Sequence, residues 1–484
     1  MTAVALSRET RPTHCLPHAP CPIPNMSKII AVSNKAIRGL TTPQLLNGGL
    51  YLTWLTSVLL LISIISGVQA QRQAIKTVGQ DSTPSIVTAQ RLKDGLAGMD
   101  ANVVNELLVP TGQNQDAIKG YEERYLRVTE RLVAAAESIS FGDIERKPIE
   151  TMQLALGNYL AKIQQARDSH ARGDNNAMLI AYRAASEIMD KTLLPAADEL
   201  DKVNLQALDA TYTQKKVATQ NYIFSIFLIG LALIILLGWL QIFLSRQMRR
   251  TFNPALLLAT AIALGLLNYT AGALLSASQN LRVATEDAFT SMHTLRQARA
   301  IAYIANTAKS RYLLDTAFAS NHEQAFVQNI AQIAQVPPGK TIESVVEAYK
   351  YEYAKVDGFT GYLADELKNI VFTGEKAATL ANLASLGTYL TIDRQIRDLE
   401  KSGKHQEAIA LSLGNNPGQS SWAFEQLKAN NQKAFDINQA AFDKAIKQGF
   451  RDLEGFELKA TVALSAIALL TLFGLTPRIK EYFV

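Results

Sequence analysis

The hydrophobic residues of this chain are gathered into four blocks, at residues 50–70, 223–244, 255–275 and 461–475, and most of the charge lies between them. At about 1.5 Å of rise per residue, a helix of 21 or 22 residues crosses a hydrocarbon core of roughly 30 Å, so the first three blocks predict membrane spans. The fourth supplies 15 residues before Pro477. It is expected to tilt little, to recruit Ile479 or to thin the bilayer. The segments between the blocks, 71–222 and 276–459, are rich in Ala, Leu, Gln, Glu, Lys and Arg and poor in β-branched alternation, which predicts helices.

Local punctuation divides the first polar segment. Thr83 followed by Pro84 has N-cap and first-turn chemistry, and the helix it opens is expected to stop at Pro110-Thr111-Gly112. A second helix is expected over 117–141, a third over 149–171 after Pro148, and a fourth from 175, interrupted at Pro195 and running through Tyr222 into the membrane. The second segment predicts helices over 278–319, 323–335 and on through an inserted stretch, 376–402, and 421–459. The expected fold is therefore an all-α membrane protein: four transmembrane helices with two extracytoplasmic up-down four-helix bundles continuous with the spans.

Charge orients this arrangement. Lys28, Lys35 and Arg38 precede the first span, Arg246, Arg249 and Arg250 fill the turn at 245–254, and Arg478 and Lys480 follow the fourth span. Because positive clusters stay on the cytoplasmic side, both termini are expected inside a plasma (inner) membrane, with 71–222 and 276–459 outside. The inner pieces are then a Pro-rich tail at 1–49, the basic turn and a stub at 477–484, which excludes a cytoplasmic kinase, cyclase or nucleotide-binding domain. The net charge of +5 is read as topology and contact with anionic membrane lipids, not nucleic-acid binding, since no basic stripe with interleaved aromatics accompanies it.

The two polar segments share a register. Leu156-Gly157-Asn158-Tyr159-Leu160 recurs as Leu386-Gly387-Thr388-Tyr389-Leu390, 230 residues on, and Arg167-Asp168 and Gly173 recur at the same offset as Arg397-Asp398 and Gly403. Such locked matches point to an internal duplication. The second copy carries an insertion that gathers Tyr349, Tyr351, Tyr353, Phe359 and Tyr362.

Candidate chemistry is sparse. Arginines can hold a carboxylate in a bidentate pair, so Arg91, Asp100 and Arg167 in the first segment and Arg296, Arg299, Arg311 and Tyr312 in the second are candidates for ligand or partner binding, against a solvated helix face as the plain alternative. Tyr349, Tyr351, Tyr353 and Tyr362 are candidates for protein docking or local packing, and Arg246, Arg249 and Arg250 form a basic cytoplasmic turn. Asn268, Tyr269 and Thr270 interrupt the third span and are read as packing contacts between spans. His14, Cys15, His18 and Cys21 are too compressed and Pro-interrupted for a convincing zinc site, so no metal is assigned. No His-Glu-x-x-His motif, phosphate-cradling loop or Gly-x-Ser-x-Gly elbow is present, and neither a catalytic residue nor a cofactor is expected.

The run from Ala166 to Asp174 and that from Leu193 to Asp201 resemble the four-helix-bundle sensory domains of chemoreceptors and histidine kinases. The stretches 249–254, 298–303 and 310–314 more closely resemble duplicated four-span proteins of actinobacteria. That resemblance implies a non-enzymatic sensor and adaptor between a periplasmic solute-binding protein, a glutamate/glutamine-binding lipoprotein in one member, and a cytoplasmic Ser/Thr kinase or other effector. A homo-oligomer or larger membrane complex would be compatible with it. The alternatives are a scaffolding subunit of a membrane complex and an auxiliary transporter subunit.

Overall fold

The computed structural model describes residues 41–139, 142–247, 253–351 and 355–481, and among them it contains helices and no strand. Helix α1 (Thr42–Lys76) opens the described chain and is followed by α2 (Thr83–Leu107), α3 (Gln115–Glu137), α4 (Asp143–Ala171), α5 (Asn175–Ile188) and α6 (Leu194–Gln247). The second half runs through α7 (Pro254–Arg282), α8 (Thr290–Leu314), α9 (Ala319–Ile333), α10 (Ile342–Lys350), α11 (Tyr362–Lys368), α12 (Glu375–Lys401), α13 (His405–Leu413), α14 (Ser420–Asp452) and α15 (Phe456–Lys480). Four stretches are long and apolar enough to cross a bilayer, so this is an all-α, multi-pass membrane protein. The tail with Lys28, Lys35, Arg38 and the His14, Cys15, His18 and Cys21 cluster, together with Arg249, Arg250 and Tyr353, lies outside the described residues.

Pro84 stands in the first turn of α2, as expected, but the path before it does not break: a wide π turn at Thr77–Ser82 links α1 to α2, and Ser82 makes no side-chain cap. Pro195 follows a second wide turn at Met189–Leu193 and likewise leaves the path unbroken. A ring lacking N–H removes one i to i−4 bond, and a π turn re-routes the neighbouring bonds. A third wide turn, Val283–Phe289, has no proline; there the Thr285 hydroxyl donates to the Leu281 carbonyl at 2.7 Å. Pro148 lies within α4, which starts at Asp143, and Pro477 lies within α15. The last span is therefore a helix of 25 residues, and the shortness read from its 15 apolar residues is removed by flanking turns at both ends.

Two expected continuities fail. Leu453, Glu454 and Gly455 interrupt the path between α14 and α15, with Gly455 at φ +65°, a left-handed conformation that favours glycine. The inserted stretch is not one helix but holds two short ones, α10 and α11, and is pinned where Gln335 and Thr360 exchange backbone hydrogen bonds of 2.8 and 3.1 Å.

The described chain forms two compact units. One contains the described residues 41–59, 231–247, 253–264 and 463–481, and in it Gly49 of α1 meets Leu240 of α6 and Asn253 donates to the Gly474 carbonyl at 2.8 Å. The other contains residues 60–230 and 265–462, so the two polar segments belong to one body. Within it α2 and α8 pack against each other along their length. Partners enclose both: α3 lies on α2, while α9, α11 and α14 lie on α8. From Leu92 to Ala101, and at most positions from Met292 to Leu313, these two helices are buried all round. The polar residues of the third span behave individually. Tyr269 stacks on Phe456 and accepts from Lys459 Nζ at 2.9 Å, Thr270 bonds back to the Leu266 carbonyl, and Asn268 is exposed.

Glycine sets the spacing of α2 and α3. A Cβ on Gly95 would lie 2.6 Å from the stiff Val128 side chain. Gly95→Ala is expected to lower stability by about 1–3 kcal/mol from overpacking, against a helix-propensity gain of up to about 1 kcal/mol, and thermal unfolding of the purified protein measures the net loss.

Candidate functional site

The α2–α8 seam carries charge where a core normally carries methyl groups. At its centre stands Arg311 of α8, a nearly enclosed guanidinium. Its Nη2 pairs with Asp100 Oδ2 of α2 at 2.5 Å, its Nη1 with Asp190 Oδ2 at 2.6 Å, and its Nε donates to Tyr182 Oη at 2.9 Å. Tyr159 of α4 donates to the other oxygen of Asp100 at 3.2 Å. One cation thus ties α2, α5 and the wide turn after α5 to α8.

Burial pushes the Asp100 carboxyl above the usual carboxylate range, against the pull of Arg311. Burial also works against the Arg311 charge, but Tyr182, Asp100 and Asp190 around it outweigh that effect and hold it above its ordinary range. Tyr159 and Tyr182 are raised well above the phenol range, first by burial and then, for Tyr159, by the Asp100 charge, so both stay protonated as donors.

The seam continues in the same style. Lys93 Nζ of α2 meets Asp198 at 2.6 Å and donates to Gln297 of α8 at 3.2 Å. Gln297 and His293 both reach Asp201 Oδ2, at 2.8 and 3.0 Å. Arg183 of α5 makes a bidentate pair with Asp315, at 2.8 and 2.6 Å, just beyond the end of α8. Ser310 donates to Asn105 Oδ1 at 2.7 Å.

Of the residues singled out from the sequence, the structure brings Asp100 and Arg311 into contact and sets Arg91, Arg296 and Arg299 near enough to act on one another's charge; Arg167 and Tyr312 have other partners. Arg167 makes a bidentate pair with Glu106, at 3.0 and 2.6 Å, and lies over the Tyr121 ring. Tyr312 lies beneath Arg397, which pairs with Asp393 at 2.8 Å. Arg299 donates to Gln432 and lies 3.5 Å from Asp94. Arg296 is buried over the Phe435 ring with its Nε unpartnered, and burial, then Arg299 and Arg91, lower it to about 10. Arg91 is exposed and its carbonyl accepts from Arg131 at 2.7 Å. Arg246 lies in the last turn of α6.

Among the insertion tyrosines, Tyr349 packs on Phe359 with ring centroids 6.1 Å apart, Tyr351 is 70% exposed, and Tyr362 is half-buried. Residues not singled out as site candidates complete the seam: Tyr159, Tyr182, Arg183, Asp190, Lys93, His293 and Asp315. One signal for them lay in the sequence, the recurrence of Tyr159 as Tyr389. The second tyrosine donates to Asn306 Oδ1 of α8 at 3.0 Å, as the first does to Asp100 of α2.

Fold and seam together define a multi-pass membrane protein whose two polar segments form one helical body around two enclosed helices. A family profile described as an actinobacterial sensor domain matches residues 74–213, which points to a sensing role. The match takes in Asp100, Tyr159, Tyr182 and Asp190 and ends before Arg311. No curated protein sequence and no solved structure matches the chain.

A second buried ionisable cluster lies where α11, α12 and α14 meet. Glu366 and Glu375 are both buried; Glu375 Oε2 accepts from the Val371 and Phe372 amides, and Asn438 Nδ2 donates to Glu366 Oε1 at 3.5 Å. Burial, then the neighbouring Glu375 charge, raises Glu366 to about 8.

Two outcomes are expected. Arg311→Met leaves Asp100 buried without its cation and is expected to cost about 3–5 kcal/mol, most of which a second change, Asp100→Leu, restores; thermal unfolding of the three proteins measures this. Because Glu366 binds its proton more tightly folded than unfolded, its contribution to stability is full below about 4.5 and is lost as pH rises through about 8. A plot of melting temperature against pH is expected to fall across that window, and Glu366→Gln is expected to flatten it.

Proposed function

We propose that the protein is a non-enzymatic transmembrane sensor and adaptor. A signal on the outer side, brought by a solute or by a solute-binding protein, biases how the two halves meet along α2 and α8. A separately encoded cytoplasmic effector, of which a Ser/Thr kinase is one kind, reads the result near the basic turn that follows α6. The observation carrying this reading is the sensor-domain match to the first half together with the buried ionic seam joining that half to the second.

Physical arguments support each step. Polar contacts between the halves are directional, so two arrangements of the same groups can differ by a small free energy, which a ligand needs if it is to shift an equilibrium. Three of the four spans are reached from the seam region by helical paths without a loop: α1 through the wide turn at Thr77–Ser82, α6 directly, and α7 through the turn at Val283–Phe289. Basic residues flanking the spans support an outer location for both polar segments. Internal duplication is supported by the paired tyrosines and by two wide turns 206 residues apart, at Thr77 and Val283.

Chemical crosslinking in intact membranes followed by mass spectrometry is expected to recover a solute-binding protein on one side and a kinase or comparable effector on the other, with yields that change with solute supply. Recovery of structural membrane proteins alone, unaffected by supply, would replace the sensor with a scaffold.

A further inference from the structure

The seam opens into two clefts with different chemistry. One, of about 290 Å³, is walled by Asp100, Asp190, Asp198 and Arg311. The other, of about 310 Å³, is walled by Asn102, Asn105, Arg124, Tyr303, Asn306 and Lys428 among others. The clefts occupy related places. Asn306 stands 206 residues after Asp100, Arg311 stands 206 after Asn105, and each of Asp100 and Asn306 accepts from the tyrosine of its own half.

The related positions therefore hold an Asp–Arg pair on one side and two asparagines on the other. In the first cleft the chain supplies both the guanidinium and its counter-ions. In the second the guanidinium comes from α3. Arg124 crosses α2 at Gly98, where a Cβ would lie 2.2 Å from its Nη1, and reaches over to α8. There it donates to the Tyr303 hydroxyl and lies 4.4 Å above the Tyr303 ring. Its other contact is the Asp94 carbonyl at 3.4 Å, and among the described residues it forms no ion pair.

The remaining groups favour an anion. Glu123 pairs with Arg127 and Glu425 with Lys428, while Asp116 accepts from the Asn415 amide and forms no ion pair with Arg124. Asn105 and Asn306 have their side-chain oxygens occupied by Ser310 and Tyr389, and among the described residues their amide nitrogens have no protein partner. Free donors thus converge on the cleft beside a guanidinium that has no direct ion pair among the described residues, in a volume at the lower end of the range for small-molecule sites.

We propose that this cleft binds a small oxygen-rich organic acid, of the size of malate. One carboxylate supplies the missing counter-ion of Arg124, and further oxygens accept from the amides of Asn105 and Asn306. The proposal deepens the sensing role and rests on it, for it names the class of solute. Asn105 and Arg124 belong to the first half and Tyr303 and Asn306 to the second, so an occupant touches both halves at once and acquires the differential contacts that a population shift requires.

Titration calorimetry of the full chain in nanodiscs, with malate, succinate, glutamate and inorganic phosphate as probes, tests this without any partner protein. Malate is expected to bind once per chain. Arg124→Met is expected to weaken binding at least tenfold. Asn306→Asp, which installs the counter-ion that the other cleft already has, is expected to abolish it while the melting temperature confirms a folded protein. Absence of binding by either organic dicarboxylate, tighter binding of phosphate or glutamate than of malate, or unchanged malate binding in both variants overturns the assignment. Such a failure leaves the relay to an effector standing, because the crosslinking experiment addresses that relay without reference to this cleft.

Discussion

Two helices enclosed on every side nevertheless carry ionised side chains, and much of this structure follows from having to compensate them. A buried charge without a counter-charge costs several kcal/mol, so α2 and α8 can be central only if Lys93, Asp100 and Arg311 find partners across the seam. Those partners come from everywhere around it. Asp190 lies in the wide turn after α5, Tyr182 in α5, Tyr159 in α4, and Asp198 and Asp201 at the start of α6. Moving any of these elements by one turn would strand a charge, and the ionic seam thereby sets the register of helices that apolar packing alone would leave free to slide.

Such a seam contributes specificity more than strength. Removing one member of a buried pair is costly, while replacing the whole pair by well-packed apolar groups is often neutral or stabilising. A protein that only needed its halves to stay together would be served by leucine on both faces. Ionic contacts instead make the joint between the halves responsive to whatever changes the local charge. In a sensor the joint has to be firm in two arrangements, not merely in one.

Much of the architecture was legible in the sequence, because hydropathy blocks and helix-forming composition are properties of single segments. The four spans, the helical character of both polar segments and the paired Tyr159 and Tyr389 could all be read directly. Proline was misleading at Pro195 and Pro477, which read as an interruption and an end, because the chain accommodates each within a helical path, the first beside a π turn; Pro84 marked a helix start correctly. Burial was illegible for a deeper reason. On an isolated helix a charged position faces solvent, and nothing in the local pattern around Asp100, Arg296 or Arg311 says that a second helix from 200 residues away will cover it. Asp100 and Arg311 were singled out separately as candidates, and only the packing of α2 on α8 makes them one site.

Asp100 and Asn306 stand in the same relation to a tyrosine and differ in chemistry. Each half has a tyrosine on a long helix donating to the central helix of that half, and the acceptor is Asp100 in one and Asn306 in the other. An aspartate in that place requires a cation, which Arg311 supplies; an asparagine requires none, and Asn105 stands where the cation would be. Two amides in those places bring no charge to be compensated, and both line a polar space in the seam. The guanidinium that enters from α3 through the Gly98 notch has no ion-pair partner among the described residues. One side of the joint pairs its guanidinium within the chain, and on the other Arg124 forms no ion pair among the described residues.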